Sequence, residues 1–437
     1  MEFTRKKIIM IGGLSIGIFA LIVVILIWVI PQPSPPAHLK IWGLYDEASA
    51  YATIISDFTK QNKNVVIQYE QKDPATYEED LIRAYAEDKA PDIWMMQNTW
   101  LPKYKNIIVA LPKSLNSTLP FSTFKSTFVD AVESDFSENE KIYGLPLYMD
   151  SLAMFYNKDY FNSAGISAPP ETWDDLIADI PLLVKKDQWG NIQRAGAAIG
   201  TADNINRCTD ILWLLMMQNG AIMMNEAKTV ATFNESARKQ DGTSFYPGRD
   251  ALEFYTSFAN PSKKVYTWNN ELRYSIDAFI EGKTAILFNY SHQIATIKAR
   301  APYLNFGIAP IPQIKDRTYD VNYANYWGFV VSKKSKYSEP AWNFLIFLTQ
   351  NSSAKKYLQT TQKPTARRDL VDWQRNDLEL GVFAKQALSA KSWYQIDNAK
   401  IETIFSDAIN SVILGSAAIN KAMDTAASQV NLLMKGQ

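Results

Sequence analysis

The chain has 437 residues, with 45 Lys and Arg against 45 Asp and Glu and a formal net charge of +0. That length exceeds one ordinary hydrophobic core, so two domains are expected. The balanced charge lacks the basic footprint of a nucleic-acid binder. The one cysteine, Cys208, excludes an internal disulfide, and the two histidines, His38 and His292, lie too far apart to give metal-ligand spacing.

The amino terminus carries a membrane signal. Ile8 to Ile30 has no charged residue. At about 1.5 Å per residue it reaches roughly 35 Å, enough to cross a hydrocarbon core of about 30 Å. Arg5-Lys6-Lys7 precedes it, so residues 1–7 are expected in the cytoplasm and everything after residue 30 outside. A cleaved signal has a shorter apolar run and a small-x-small site. Here the run is long and its exit, PQPSPPA, is crowded with proline, so an uncleaved single-pass anchor in the cell membrane is expected. Residues 31–37 form a linker whose prolines favour polyproline II, at about 3.1 Å per residue and roughly 20 Å in all.

The soluble part opens with alternating units. Leu39 to Trp42 reads as a strand. Asp46 to Gln61 reads as a helix with Tyr51, Ile54, Ile55 and Phe58 on one face. Asn64 to Glu70 is a second strand. Asp73-Pro74 starts a helix to about Lys89, and Pro91 to Met96 is a third strand. Strand–helix–strand–helix–strand implies a parallel sheet with right-handed crossovers. Ligands in such sheets sit at the carboxyl ends of strands. Those ends are Gly43 to Glu47 and Gln97 to Trp100, both polar and aromatic, which suits a site and also suits ordinary surface turns.

Lys141 to Phe161 divides at a Gly144-Leu145-Pro146 corner, and Ser151 to Tyr156 is an apolar run with the pattern of a strand buried on both faces. It reads either as a strand passing from one packed unit into a second, exposing Tyr148, Asp150 and Ser151 at the floor of a cleft, or as an internal hairpin of one domain. Thr172 to Asp175 has the form of a capping box, with Asp in the last position, opening a helix to about Val184. Ala195 to Gly200 is a small-residue strand, and Ile205 to Asn219 an apolar helix closed by Gly220. Pro247 to Asn260 and Ser275 to Glu281 are helices, Thr284 to Tyr290 a buried strand, and Val321 to Ser332 a strand pair or one long strand. The tail from Glu339 reads as nearly all helical, with Ile401, Ile404, Phe405, Ala408, Ile409 and Val412 as an apolar stripe.

In their order and spacing, four stretches carry a resemblance: LKIWGLYDE…YATIISDFTKQ; PDIWMM; YGLPLYMDSLAMFYNKDYFNSAGI with PPETWDDL; and FIEGKTAILFNYSHQI…FGIAPIPQ with YWGFVVSKKSKYSEPAWNFLIFLT. From about residue 38 to the end the chain resembles an extracellular solute-binding protein of the maltose-binding type, the receptor component of bacterial ABC importers. It departs from many members in having no cysteine right after the signal segment, so lipid anchoring is excluded and the helix would do the tethering. The resemblance implies an α/β, two-lobed, periplasmic-binding-protein-like fold of type II with one N-terminal transmembrane helix. Three interlobe crossings are expected, near Tyr148–Ala153, Thr284–Tyr290 and Trp327–Ser332. The corresponding division is 1–7 tail, 8–30 anchor, 31–37 linker, 38–149 lobe 1 with 286–330, and 150–285 lobe 2 with 331–437.

A sugar ring offers an apolar face and a rim of hydroxyls, so its pocket needs aromatic surface and a few aimed polar groups. By position the resemblance implies Tyr45, Asp46 and Glu47 after the first strand, and Gln97, Asn98 and Trp100 after the third. Tyr148 and Asp150 come from the first crossing, Asn289 and Tyr290 from the second, and Asn325, Tyr326 and Trp327 from the third. Trp268 and Trp393-Tyr394, in loop-like sequence, would cap the cleft. Trp42, Trp173, Trp213 and Trp342 are expected in the core, and for Trp100, Trp268, Trp327 and Trp393 core and ligand contact remain equally open.

The expected function is a non-catalytic, monomeric receptor that binds a small solute by hinge closure and delivers it to ABC permease transmembrane subunits, with no cofactor, metal or nucleic-acid partner. Aromatic richness tilts the ligand towards carbohydrate. The absence of a Gly-rich phosphate loop or dense Arg cluster argues against a highly charged one. The alternatives are an anchored extracellular glycoside hydrolase drawing on Asp46, Glu47 and Asp150, or a ligand sensor without transport.

Overall fold

A computed structural model describes residues 35–239 and 241–435. The expected cytoplasmic tail, the membrane-spanning run and most of the linker lie outside them. Among the described residues no helix is long and apolar enough to cross a membrane.

Lobe 1 is built first. β1 (Ala37–Gly43), α1 (Ser49–Gln61), β2 (Val65–Gln71), α2 (Tyr77–Ala86) and β3 (Ile93–Gln97) form the expected alternation, with β1 parallel to both β2 and β3. α1 buries Tyr51, Ile54 and Phe58. α2 starts later than expected, because the Asp73 carboxylate accepts the Ala75 N–H at 2.9 Å and holds residues 73–76 in a turn. β4 (Ile108–Val109), α3 (Asp130–Phe136) and β5 (Gly144–Pro146) follow.

The chain then enters lobe 2. Its sheet contains β6 (Ala153–Asn157), β7 (Lys185–Lys186), β8 (Ile192–Ala197), β9 (Thr284–Asn289) and β10 (Phe306–Ala309), in the order β10-β6-β9-β8-β7. All of β9 is buried, and all of β6 except half-buried Tyr156, as the unbroken apolar runs predict. α4 (Trp173–Leu183) opens with a complete capping box: Thr172 Oγ1 accepts the Asp175 N–H at 3.2 Å, and the Asp175 carboxylate accepts the Thr172 N–H at 3.0 Å. α5 (Cys208–Gln218), α6 (Pro247–Ser257), α7 (Ser275–Ile280) and α8 (Gln293–Arg300) complete this stretch.

The chain returns to lobe 1 as β11 (Trp327–Ser332), which inserts antiparallel between β3 and β4 and gives the order β2-β1-β3-β11-β4, with β5 also paired to β11. α9 (Ser338–Leu348) and α10 (Asn351–Thr361) stay on lobe 1. After a last passage, α11 (Asn398–Ile413) and α12 (Ile419–Lys435) pack on lobe 2, α11 through Ile401, Phe405, Ala408 and Ile409.

The lobe boundaries correct two expectations. Residues 286–309 belong to lobe 2, because β9 and β10 both pair with β6. Residues 331–370 belong to lobe 1, where Val331, Trp342, Phe344, Leu358 and Leu370 enter the core around β3 and β11. The chain therefore passes between lobes around residues 147–152, 310–326 and 371–392. β9 is not a crossing; a strand buried on both faces looks the same in sequence whether it ends at a hinge or runs through a core.

Candidate functional site

The lobe 1 side is made at the carboxyl ends of β1 and β3 and the start of β11. Gly43 closes β1 against Tyr69, whose phenol oxygen would sit 2.1 Å from any Cβ placed there. That phenol donates to the Asp46 carbonyl at 2.7 Å and pins the turn, in which Tyr45 takes a left-handed conformation with φ of 64°. The turn projects Tyr45, 52 % exposed, edge-on to Trp327 at 6.0 Å between ring centroids. Trp327 in turn meets Trp100 at 5.0 Å and Tyr77 at 6.1 Å, both T-shaped. The result is an aromatic platform backed by the lobe 1 core.

Beside it lies a nearly buried ion pair. Lys363 Nζ donates to both Asp46 oxygens at 2.7 and 2.6 Å, and the Tyr357 hydroxyl donates to Asp46 Oδ2 at 2.6 Å. Gln362, left-handed with φ of 52°, ends α10 and turns Lys363 inward, where its ammonium stands 4.5 Å from the Tyr148 ring centroid. Burial lowers the lysine and Asp46 opposes that shift. Asp46 and Tyr148 are thus held within lobe 1 by the protein itself.

Asp150 ties the hinge. Its carboxylate accepts the Ser291 N–H and hydroxyl and the Ser151 N–H, while its carbonyl accepts the Asn325 N–H at 3.0 Å. Two crossings and the turn after β9 meet at this one residue. Burial pushes its carboxyl up to about 6 against the pull of these donors. His292 Nδ1 lies 4.0 Å away and still reaches solvent. Burial, then Arg207 and Lys363, hold that imidazole down to about 4, so it is neutral at pH 7 and the pair is no salt bridge. Asn325 bridges onward, accepting from Gln97 Nε2 at 3.2 Å.

The lobe 2 side centres on Arg207, which precedes α5 in a left-handed conformation with φ of 64°. Its guanidinium pairs with Asp210 at 2.6 Å and Glu402 at 3.6 Å, and stands 5.6 Å from the Tyr290 ring centroid. The Tyr290 hydroxyl donates to Asp210 Oδ2 at 2.6 Å. The surrounding protein raises the Tyr45 phenol and Arg207 opposes that shift.

Of the expected ligand residues, the structure brings Tyr45, Trp100 and Trp327 together and joins Gln97 to Asn325, whose Nδ2 lies 3.5 Å from the Asp210 oxygen that the Tyr290 hydroxyl also reaches. Others are committed elsewhere. Trp268 is fully buried and donates to Asn204 Oδ1 at 3.0 Å, because Gly196 in β8 lets the 258–274 segment tuck in, where Thr267 Oγ1 accepts the Gly196 N–H. It caps nothing. Tyr326 is buried and donates to Asp135 Oδ2 at 2.8 Å, which Asn98 also does at 3.0 Å. Asn289 bonds Asn206 within lobe 2. Trp393 packs edge-on against Trp213 and Phe405 in the lobe 2 core. Glu47 is exposed at the entrance to α1, and half-buried Tyr394 borders a side cavity of about 480 Å³. Trp42, Trp173, Trp213 and Trp342 are buried, as expected for core indoles. Among the described residues no His, Cys, Asp and Glu group could hold a metal.

A family profile described as bacterial extracellular solute-binding protein matches residues 53–379. The chain belongs to the bacterial extracellular solute-binding protein family. A Brucella abortus (strain 2308) protein described as a binding protein is 27% identical over 329 residues, covering 71% of this chain and 72% of its own length. The maltodextrin-binding protein MdxE of Bacillus subtilis (strain 168) is 23% identical over 320 residues, 70% of each chain. The crystal structure of the cyclic alpha-maltosyl-1,6-maltose binding protein from Arthrobacter globiformis shares the two-lobed α/β fold with a TM-score of 0.76 at 19% identity, over 92% of this chain and 100% of that one. Solute-binding relatives of this kind are binding proteins, not enzymes.

Sequence reasoning missed Arg207, Asp210, His292 and Lys363. His292 stands two residues after the run read as a strand, and its place in a polar turn was an available signal. Arg207 and Lys363 depend on left-handed residues, and nothing in ADNINRC or TTQKPT marks those.

Proposed function

We propose that this solute-binding protein is a membrane-anchored extracellular receptor that takes a carbohydrate into the cleft between its lobes and delivers it to an ABC-type permease. The observation that carries this reading is the Tyr45–Trp327–Trp100 platform of lobe 1, with the polar cluster of Arg207, Asp210 and Tyr290 on lobe 2. Flat apolar surface accepts the C–H face of a sugar, and the polar rim takes its hydroxyls. The cations at the cleft are matched by carboxylates, Arg207 by Asp210 and Lys363 by Asp46, which suits an uncharged ligand. The maltodextrin and cyclic maltosyl-maltose binders among its relatives support the same class.

Ligand that touches both lobes stabilises only the closed form and shifts the hinge equilibrium by its differential affinity. The uncharged run from Ile8 to Ile30 supports tethering. The test is a thermal-shift screen of the full-length chain against a saccharide library, with X-ray scattering on every hit. A saccharide that raises Tm and lowers the radius of gyration supports the reading. No shift with any saccharide, or new reducing ends in the mixture, overturns it.

A further inference from the structure

The sheet of lobe 2 is edged by a stiff hairpin. β7 runs antiparallel beside β8, and residues 187–191 join them. Asp187 sets the turn: its carboxylate accepts the Trp189 and Asn191 N–H groups and the Asn191 side-chain amide, each at 2.9 Å. Gly190 completes it with φ of 88°. The base is pinned as well. The Arg194 guanidinium donates to the Leu183 carbonyl at 3.0 and 2.9 Å, which caps the end of α4, and lies 4.1 Å from the Tyr160 ring centroid. β8 is parallel to β9, which ends at Asn289, paired with Ala153 beside the first crossing. The amino end of β8, where the hairpin sits, is thus the pole of lobe 2 away from the hinge and the cleft.

This turn holds Trp189 77 % exposed, the most open indole among the described residues. Leu182, three residues before β7, is 57 % exposed. Lysines surround them. Lys185 and Lys186 are β7 itself, and Lys186 Nζ stands 4.7 Å from the ring centroid of Tyr266, which follows Lys263 and Lys264. The Lys283 carbonyl accepts the Ala195 N–H of β8 at 2.8 Å. All five lysines are exposed, and among the described residues only Lys263 pairs with a carboxylate, Glu253 at 4.0 Å. Of the other acids nearby, Asp187 is occupied by its turn, Glu281 pairs with Arg273 at 2.6 Å, and half-buried Asp179 lies one turn back on α4.

Neither folding nor solute binding accounts for an indole held open here. An exposed indole beside lysines suits a bilayer surface, where the ring sits at headgroup level and ammonium groups meet anionic lipid. The uncharged run ends at Ile30 and β1 starts at Ala37, so a linker of roughly 20 Å keeps the folded part beside the membrane. At that effective concentration a contact too weak to recruit a free protein still forms. We infer that the Trp189 hairpin of lobe 2 docks on an anionic bilayer surface, with the indole at headgroup level and Lys185 and Lys186 against lipid phosphates. This rests on the tethering reading above and adds a second, reversible foothold on the lobe that carries no anchor. Both lobes then lie against one membrane plane.

The experiment places a nitroxide on Gln188→Cys, at the exposed tip, in the full-length chain; the native thiol, Cys208, is buried. The chain is reconstituted into vesicles of phosphatidylcholine, alone or mixed with phosphatidylglycerol, and collisions of the label with oxygen and with a water-soluble nickel chelate are compared. On the mixed vesicles the label is expected to be shielded from the chelate and open to oxygen, and on the neutral ones open to the chelate. Lys185→Glu with Lys186→Glu is expected to weaken docking at least fivefold, since each lysine at an anionic surface contributes about that factor. Trp189→Ala is expected to weaken it too while Tm holds, because the indole is exposed. A label on Ser262→Cys, beside Lys263 and Lys264, reads the same contact should the first label disturb the turn. Vesicle-bound chain whose labels are both as open to the chelate on mixed vesicles as on neutral ones overturns the inference and spares the tethering reading. So does a shielded label that neither variant releases. Chain that does not float with either kind of vesicle overturns both.

Discussion

Ser291 gives Asp150 both of its donors: the backbone N–H reaches the two carboxylate oxygens at 3.1 and 3.0 Å, and the hydroxyl reaches Oδ2 at 2.7 Å. The contact joins the first crossing to the turn after β9. Asp150→Asn replaces one acceptor with a donor that faces the Ser291 N–H. It is expected to destabilise the protein by about 2 kcal/mol, measured as a lower urea midpoint, since a buried group loses its partner.

Two buried carboxyls and the solvent-reaching imidazole of His292 set the pH dependence. Asp150 and Asp135 have native values pushed up to about 6 from 3.8, both chiefly by burial. Each contributes stability that is full below about 4 and is lost as pH rises through 6. His292 is held down to about 4 from 6.5, so its contribution is full above 6.5 and is lost as pH falls through 4. Between pH 7 and pH 5 the carboxyls therefore favour the folded state on acidification and the imidazole opposes them. In urea titrations Asp135→Asn is expected to reduce the gain on acidification by on the order of 1 kcal/mol, and His292→Gln to enlarge it. A larger gain in Asp135→Asn, or a smaller one in His292→Gln, would refute these assignments.

Trp327 and Trp393 separate binding from folding. Trp327 is half-exposed at the platform, so Trp327→Ala is expected to weaken saccharide binding at least tenfold while Tm moves little. Trp393 is buried against Trp213, Phe233 and Phe405, and Trp393→Ala is expected to cost about 3–5 kcal/mol of folding stability. Calorimetry and chemical denaturation on both variants read the contrast.

Lys363 and Asp46 form a nearly buried pair, with side chains 16 % and 8 % exposed. Lys363→Met leaves Asp46 without its cation and is expected to cost about 3 kcal/mol. Adding Asp46→Asn removes the stranded charge and recovers most of that loss. A double-mutant cycle on urea midpoints measures the coupling.

Periodicity was enough to read the alternating start of lobe 1, the Thr172 capping box and the buried strands β6 and β9, because each depends on neighbours within one turn or one strand. The boundaries between lobes were not readable in the same way. β11 and β9 are both short apolar runs after a polar turn, and only pairing partners far along the chain decide which sheet receives them. The same limit governed the site. Tyr45 and Trp327 sit at strand ends, where sheet geometry exposes them. Trp268 sits in loop-like sequence, yet Thr267 and Gly196 draw it into the core. Arg207 and Lys363 reach the cleft through single backbone angles that composition does not encode.

Neither half of this protein is a continuous piece of chain. β11 enters the first sheet between β3 and β4 only once residue 332 exists, and α11 and α12 cover the second half only with the final stretch of polypeptide. During synthesis the ribosome thus releases a chain in which no half can finish folding until translation is nearly over. A translocase that threads unfolded polypeptide meets no completed globule along the way, and a nonsense mutation before Asn398 would yield a product open to proteolysis instead of a smaller working protein.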